Sequence, residues 1–511
     1  MKELHKEITP SQRVFLTVSL LTGVFMAILD TTIVDVIIPK LMAPLSTDLY
    51  GVQWVITAYM TSAASGILLV EWIESKIGLK KVFLAGLSLF TVASFFAGNA
   101  KSLEWMITAR VVQGFGESLI VVSAEAMLFS AYPPEKRGLA MGIYGLGVSF
   151  APALGPTLGG WITQHIDWRW VFYINIPIGI INFLYALLFL PEHKPNHHVR
   201  LNFISYIFIS IATVSLLIVL SKGQQMGWFS SEFIASLTFL SVISFLLFLL
   251  SETLSKNKLL SPSIFRIKEF VIAFLVYFLL LGFSMYQVFY LIPLYFEYLK
   301  GIPTFETGLH ILPLALAIGV ASPIAGIISD KFSEKLPLYI AVILYLFSSL
   351  YFLPQFEYYT PSWQASYKLI VLGIGLGFFF APVTNLALRK LGDQTTLGVS
   401  LMHYIRFVGG SFGTALATND LQKYLWTNFE RSSEIQNPVI VSEFLNKISE
   451  LLWISEQKAR ALFYGVEYIF ALSNSFQKTF FIAGLWGVIG SLPIIYLFME
   501  SLIRRKKKGK N

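Results

Sequence analysis

The sequence predicts an all-α integral membrane protein of fourteen transmembrane helices, arranged as two six-helix bundles with two helices inserted between them. Three observations carry this reading. Of the 511 residues, 55% are hydrophobic and only 13% charged, a balance that a water-soluble chain of this length does not need. Apolar runs fall at 13–38, 51–72, 81–99, 104–129, 138–162, 170–190, 201–220, 232–251, 270–296, 306–328, 336–353, 366–388, 397–417 and 477–502. They have the length that a helix needs to cross the hydrocarbon core. The first six and last six runs also share weak similarity at equivalent places. ESKIGLKK follows the second run and SDKFSEK its counterpart, while GLGVSFAPALGPTLGG in the fifth run matches IRFVGGSFGTALAT at 405–418. Two related six-span halves are the mark of a parallel repeat with its site between the halves. The expected division is 1–192, an inserted pair at 193–265, and 266–511.

Charge sets the orientation. With the N-terminus cytoplasmic, about two dozen of the 38 Lys and Arg face inward, in KELHK, ESKIGLKK, PPEKR, PEHKPNHHVR, SKNK with FRIK, SDKFSEK, LRK and the tail RRKKKGK. The short loops on the other side hold about one each. Only an even number of spans makes this asymmetry consistent. It also explains the net charge of +8 without nucleic acid. The basic tail anchors topology and can rest on anionic lipid. Met1–Pro10 is short and charged, and no small-residue cleavage site follows the first run, so that run reads as a retained span. With no cysteine in the chain, disulfides, thiolate metal sites and cysteine nucleophiles are excluded. No GxxxxGK[ST], HExxH or GxSxG motif occurs either, so the sequence points to no enzyme and no nucleotide-driven pump.

Taken in order, the runs place few ionisable residues within the membrane, and each costs about 2.5–3.5 kcal/mol at its centre on insertion scales. Asp30 lies two thirds along the first run. Asp35 is five residues on, about 140° round the helix, and is expected near the outer interface ahead of Pro39. The second run carries Trp54 and Tyr59, and the fourth carries Arg110, Gln113, Gly114 and Glu117 at i, i+3, i+4 and i+7, on one face. Arg110 and Asp30 fall at similar depth, so they are expected to pair, either as a structural ion pair or as a proton-coupling site. Glu117 has no evident partner and is a second candidate for proton or cation binding. Glu125 is expected to snorkel to water near the cytoplasmic end.

The fifth run, Met141–Trp161, has no charge but carries Gly145, Gly147, Gly155, Gly159 and Gly160 with Pro152 and Pro156. In lipid it stays helical, because its backbone must bond to itself, and its small residues admit another backbone closely. It reads as a bent packing seam between moving bundles. The loop of the inserted pair, SKGQQMGWFSSE, is polar and carries no evident chemistry. In the second half, Tyr286, Tyr290, Asn385, His403 and Arg406 are the polar or aromatic candidates. With Trp54, Tyr59 and Gln113 they are expected to line a cavity for flat amphipathic molecules, the aromatic rings stacking on them. His403 reads as hydrogen-bonded structure more than as a relay. The stretch 418–476 is expected outside, as a helical hairpin on the membrane or against a partner; Leu445, Ile448 and Leu451 have amphipathic helical spacing.

At this point the motifs resemble a known family. LDTTIVDVIIP, RVVQGFGES, and GLGVSFAPALGPTLGG followed by WRWVFYINIPIG are similar to those of the major facilitator superfamily, in its fourteen-span drug:proton antiporter branch of EmrB-type multidrug efflux permeases. The likeness covers nearly the whole chain. It implies that Asp30 takes part in proton or cation recognition, that Arg110 takes part in proton transfer, and that the fifth-span antiporter motif favours export. It makes Glu71, Gly78 and Lys80, and Asp330 in the second-half copy, the gating-loop positions. Glu71 and Ser75 depart from that loop's usual residues, as Asp35 and Glu297 depart from a usual Asn and Gln. The implied activity is export of drugs or other amphipathic small molecules across a bacterial inner membrane by alternating access, without a cofactor and driven by the proton gradient. A periplasmic membrane-fusion adaptor and an outer-membrane channel are the implied partners. The alternatives are a narrow-substrate exporter of a fatty acid, siderophore or peptide, and a non-transporting sensor or assembly subunit.

Overall fold

The computed structural model describes residues 4–192, 200–435 and 438–508. Most of the basic loop at 191–200, the two residues at 436–437 and the side chains of the basic tail fall outside that description. After a single turn at Leu4–Glu7, the first span, Pro10–Leu41, starts on a capping box: Thr9 Oγ1 accepts from Gln12 N–H and Gln12 Oε1 accepts from Thr9 N–H, with Pro10 at the first position. Such a start satisfies two of the orphan donors that every helix end exposes. The second span is broken into Trp54–Ile67 and Val70–Ile77, bent by 55°. Gly78, at φ 82°, turns the chain into the third, Leu79–Gly98. The fourth, Leu103–Ala131, is capped by Ser102. The fifth, Arg137–His165, stays helical through Pro152 and Pro156, as a membrane segment must. The sixth is Trp170–Phe189.

The inserted pair is Phe203–Lys222 and Glu232–Leu254. The two helices pack on each other, and the first of them also touches the second and thirteenth spans, so the pair flanks both halves. The ninth span, Lys268–Leu299, contains π-helical turns at Tyr277–Met285 and Tyr295–Leu299. Such turns concentrate at functional sites and hinges. Thr304–Lys331, Lys335–Gln355 and Ser362–Leu388 follow. Then come Thr395–Ile435, a shorter helix Pro438–Leu452, and Glu456–Lys508.

One sequence expectation gains detail here and one changes. Among the described residues, twelve helices are long and apolar enough to cross a membrane, thirteen with the bent pair. The remaining stretch, 397–417, belongs to Thr395–Ile435, which is too polar to join that set. It nevertheless packs against the second, fourth, ninth and fourteenth spans, so its polar residues are buried among helices. The stretch 418–476 is also not a separate hairpin lying on the membrane. It is a continuation of the thirteenth and fourteenth spans, which rise as an antiparallel stalk. Asn428 Nδ2 donates to Ser475 Oγ at 3.1 Å, and Phe429 meets Tyr468 edge-on. The amphipathic segment is indeed helical and crosses the stalk, Phe444 against Phe463. At 1.5 Å per residue the stalk reaches about 25–30 Å beyond the spans. The base is tied to the loop after the eleventh span by Tyr358 N–H donating to Ser473 Oγ at 3.0 Å.

Spans one to six pack on one another and spans nine to fourteen likewise, and the two sets meet along a seam. On one side of the seam the fifth span lies against the tenth and twelfth; on the other the second and fourth lie against the thirteenth.

Candidate functional site

Asp30 and Arg110 come together as the sequence expects, and they do so inside the first bundle. Arg110 Nη1 donates to Asp30 Oδ2 at 2.5 Å, and both residues are 1% exposed. Gln113 Nε2 donates to the other carboxylate oxygen at 3.0 Å and to Ser94 Oγ at 2.9 Å, while its own carbonyl accepts from Arg110 Nη1 at 2.8 Å. Arg110 Nε donates to the Val55 carbonyl at 3.2 Å, and the guanidinium lies 4.0 Å over the Tyr59 ring. A buried ion pair survives only when its remaining donors and acceptors are satisfied, and four spans do that here. The sequence reading missed two members, Ser94 on the third span and, on the sixth, Asn175, whose Nδ2 donates to Asp30 Oδ1 at 2.6 Å. For Asn175 the signal was available: it is a lone amide in the run WRWVFYINIPIG.

This geometry reassigns several expected cavity residues. Tyr59 and Gln113 are fully buried parts of the Asp30–Arg110 cluster, because the fourth-span face that carries Arg110 and Gln113 turns into the bundle and meets Tyr59 of the second span. Trp54 stands beside Lys222 of the inserted pair, 5.7 Å from its ammonium nitrogen, since the second span begins against that pair. Asn385 is buried within the second bundle, its Nδ2 3.5 Å from Ser329 Oγ. Tyr286 packs its ring on Gly410, 3.0 Å from where a β-carbon would sit. Tyr290 is half-buried on the same helix. Arg406 lines a small cavity between the bundles with Glu125, Tyr144, Tyr277, Phe380, Thr384 and His403.

Glu125 corrects another expectation. It does not snorkel to water: it is 5% exposed, and its Oε2 lies 2.5 Å from Nε2 of His403, itself 3% exposed. The fourth and thirteenth spans run side by side, so a residue two turns from the end of one meets a residue two turns into the other. The pair fastens one bundle to the other. Glu117 sits nearer the middle of the same helix, buried, with one carboxylate oxygen unpartnered.

The glycines of the fifth span divide between two neighbours. A β-carbon on Gly142 would meet the Ser322 carbonyl of the tenth span at 2.6 Å, one on Gly145 the Ser322 hydroxyl at 2.5 Å, and one on Gly160 the Phe305 backbone at 3.2 Å. Gly155 and Gly159 instead face Thr32 and Ile33 of the first span. Gly147 meets only Leu21, at 3.5 Å, and Pro152 is exposed, so these two are not seam residues. At the end carrying the chain termini, Asp330 caps the fifth span across the seam, accepting from Gly138 N–H at 2.7 Å and Leu139 N–H at 2.8 Å. The first-half copy differs. Lys80 Nζ donates to the Leu187 carbonyl of its own bundle at 2.9 Å. Glu71 lies on the bent half-helix Val70–Ile77 that Gly78 ends.

Comparison with known proteins agrees with this architecture. The family model for the Major Facilitator Superfamily matches residues 20–414. The multidrug export protein EmrB of Escherichia coli K12 is 29% identical over 443 residues, covering 86% of this chain and 85% of EmrB. The MFS-type transporter YhcA of Bacillus subtilis is 27% identical over 516 residues, covering 98% and 96%. The fatty acid resistance protein FarB of Neisseria gonorrhoeae is 28% identical, covering 79% and 80%. Among solved structures, the human organic anion transporter MFSD10 superposes with a TM-score of 0.61 at 12% identity, covering 95% of this chain and all of that one. That likeness speaks for the fold alone. The family match and the two packed sets of spans lead to one conclusion: the chain belongs to the Major Facilitator Superfamily and is a membrane-spanning transporter of small substrates.

Proposed function

We propose that the protein is a proton-coupled antiporter that exports drugs or other amphipathic small molecules across the inner membrane of a bacterial cell. The observation that carries the coupling is the Asp30–Arg110 cluster. A carboxylate buried from water and held by three donors is costly to keep charged without them. Any rearrangement that draws Arg110 away therefore makes Asp30 a proton acceptor. The kinship with EmrB, named as a multidrug exporter, supports the direction and breadth of transport. The gradient supplies about 2.3 kcal/mol per charge per 100 mV.

The excess of Lys and Arg in the loops at the termini end supports cytoplasmic termini, with the stalk on the outer side. A periplasmic adaptor and an outer-membrane channel would engage the stalk, the part of the chain that rises farthest from the spans. Alternating access would proceed by rocking of the two bundles about their seam, gated at the termini end by Asp330. A second reading, export of one metabolite class, takes support from FarB, named for fatty acid resistance.

The test is ethidium export from proteoliposomes under an imposed pH gradient, wild type beside Asp30→Asn. Gradient-dependent flux that collapses in the variant is the expected result. Gradient-dependent flux that survives the substitution removes Asp30 from coupling. No flux of ethidium, with flux of a fatty acid under the same gradient, would favour the second reading.

A further inference from the structure

The loop of the inserted pair, SKGQQMGWFSSE, is a polar stretch that the transport reading leaves unused. It lies at the end of the seam away from the termini, where the second span begins and the thirteenth rises into the stalk. On one side it fastens to the first bundle. Lys222 Nζ and Gln225 Nε2 both donate to Gln53 Oε1, at 2.9 and 2.6 Å, and the Ser221 and Thr57 hydroxyls meet at 3.0 Å. On the other side it reaches the second bundle, Gln224 Nε2 donating to Gln422 Oε1 at 2.7 Å. Trp228 aims Gln224: its indole N–H donates to Gln224 Oε1 at 2.8 Å, which leaves the amide nitrogen for Gln422. Trp228 itself sits in the left-handed region at φ 51°, directly after Gly227 at φ 74°. A bulky residue rarely takes that conformation, and it persists where its surroundings over-determine it. Here the Trp228 backbone N–H donates to the Gly223 carbonyl at 2.7 Å, and the ring lies on Gly223, 2.5 Å from where a β-carbon would sit.

The two attachments are unequal. Lys222 is 4% exposed and supplies a charged donor, whereas the Gln224–Gln422 bond is exposed and neutral, the weaker kind. When the bundles part, the loop therefore stays with the first, and the Gln224–Gln422 bond gives way. The inserted helix also meets the thirteenth span through the Thr213 and Tyr404 hydroxyls, at 2.7 Å. That contact lies about 13 Å deeper, where rocking displaces the helices less. We propose that residues 221–228 are a latch that holds the two bundles together at the outer end and releases when that end opens. The latch rests on the rocking of the bundles in the exporter reading, and it gives the inserted pair a role there.

The reporter is Thr157→Cys, in the outer half of the fifth span and on the other side of the seam. The Thr157 hydroxyl is buried without a partner against Gly308 of the tenth span, and the chain has no native cysteine. A charged maleimide should therefore label this site only when the outer end opens. Purified full-length protein is labelled in detergent without substrate. Gln224→Ala and Gln422→Ala should each raise the labelling rate about 2- to 10-fold, the scale of one hydrogen bond. The double variant should go no further than either single one, because both remove the same bond. Unchanged rates in both single variants would overturn the proposal, as would a double variant in which the two effects multiply. A lowered melting temperature without faster labelling marks a merely structural loop and overturns it too. Ethidium flux in proteoliposomes of the same protein separates the two levels. Gradient-driven flux with unchanged labelling overturns the latch alone. Absence of flux for both ethidium and a fatty acid overturns the exporter reading, and the labelling still decides the latch.

Discussion

Asp30 shows how much one buried carboxylate can organise. Its three donors come from the fourth and sixth spans, so substitution acts on stability and on function separately. Asp30→Asn leaves Arg110 charged, buried and without a counterion, a change worth about 3–5 kcal/mol in buried pairs. The apparent melting temperature in detergent should fall. Adding Arg110→Gln removes the stranded cation, so the double variant should recover much of the lost temperature while gradient-driven flux stays absent. Recovery of flux in the double variant would show that neither residue carries coupling. At this scale the sequence was informative where a charge stood alone in an apolar run, as with Asp30 and Arg110. It was right that His403 is hydrogen-bonded structure but misleading for Glu125: its partner lies 278 positions away, and nothing local distinguishes a paired residue from a snorkelling one.

Among the elements, the fifth span is the most constrained, because it serves two neighbours. A methyl on Gly142 would press on the tenth-span backbone at 2.6 Å, where backbone cannot yield cheaply; overpacking of this kind costs about 1–3 kcal/mol. Gly142→Ala should therefore lower the melting temperature, whereas Gly147→Ala, with a single side chain at 3.5 Å, should leave it nearly unchanged. Equal effects from the two would refute the assignment of the seam. The stalk invites a similar contrast. Asn428→Ala removes a donor shared between Ser475 Oγ and the Ala471 carbonyl and should cost about 0.5–1.5 kcal/mol. Trp453, 95% exposed, should be replaceable by Ser with no measurable shift. The sequence marked 397–417 as a span but not how far its helix continues. How far a helix continues past the membrane depends on its partner, and the fourteenth span is that partner.

Across the whole molecule, the termini end of the seam is held by Asp330 on Gly138 and Leu139, and by Glu125 on His403. The absence of native cysteine makes this end easy to probe. A cysteine placed at Ser322, fully buried between the fifth and tenth spans, should react slowly with a membrane-impermeant maleimide. Asp330→Asn gives up the charge on the acceptor of two backbone N–H groups and should raise that labelling rate several-fold, since charged hydrogen bonds are about twice as strong as neutral ones. An unchanged rate would mean that Asp330 is not a gate residue.

The sequence by itself determined which segments enter the membrane, because transfer of some twenty apolar residues into hydrocarbon outweighs any tertiary preference. It determined the family through motifs that crowd glycine, proline and charge into particular spans. It also determined that Asp30 and Arg110 belong together, since two opposite charges at one depth have little alternative. The tertiary structure decided the rest. Which face of the fourth span looks into the bundle set Tyr59 and Gln113 apart from the cavity. Which helices lie across the seam paired Glu125 with His403. These choices are made by packing between residues far apart in the chain, and local pattern carries no record of them.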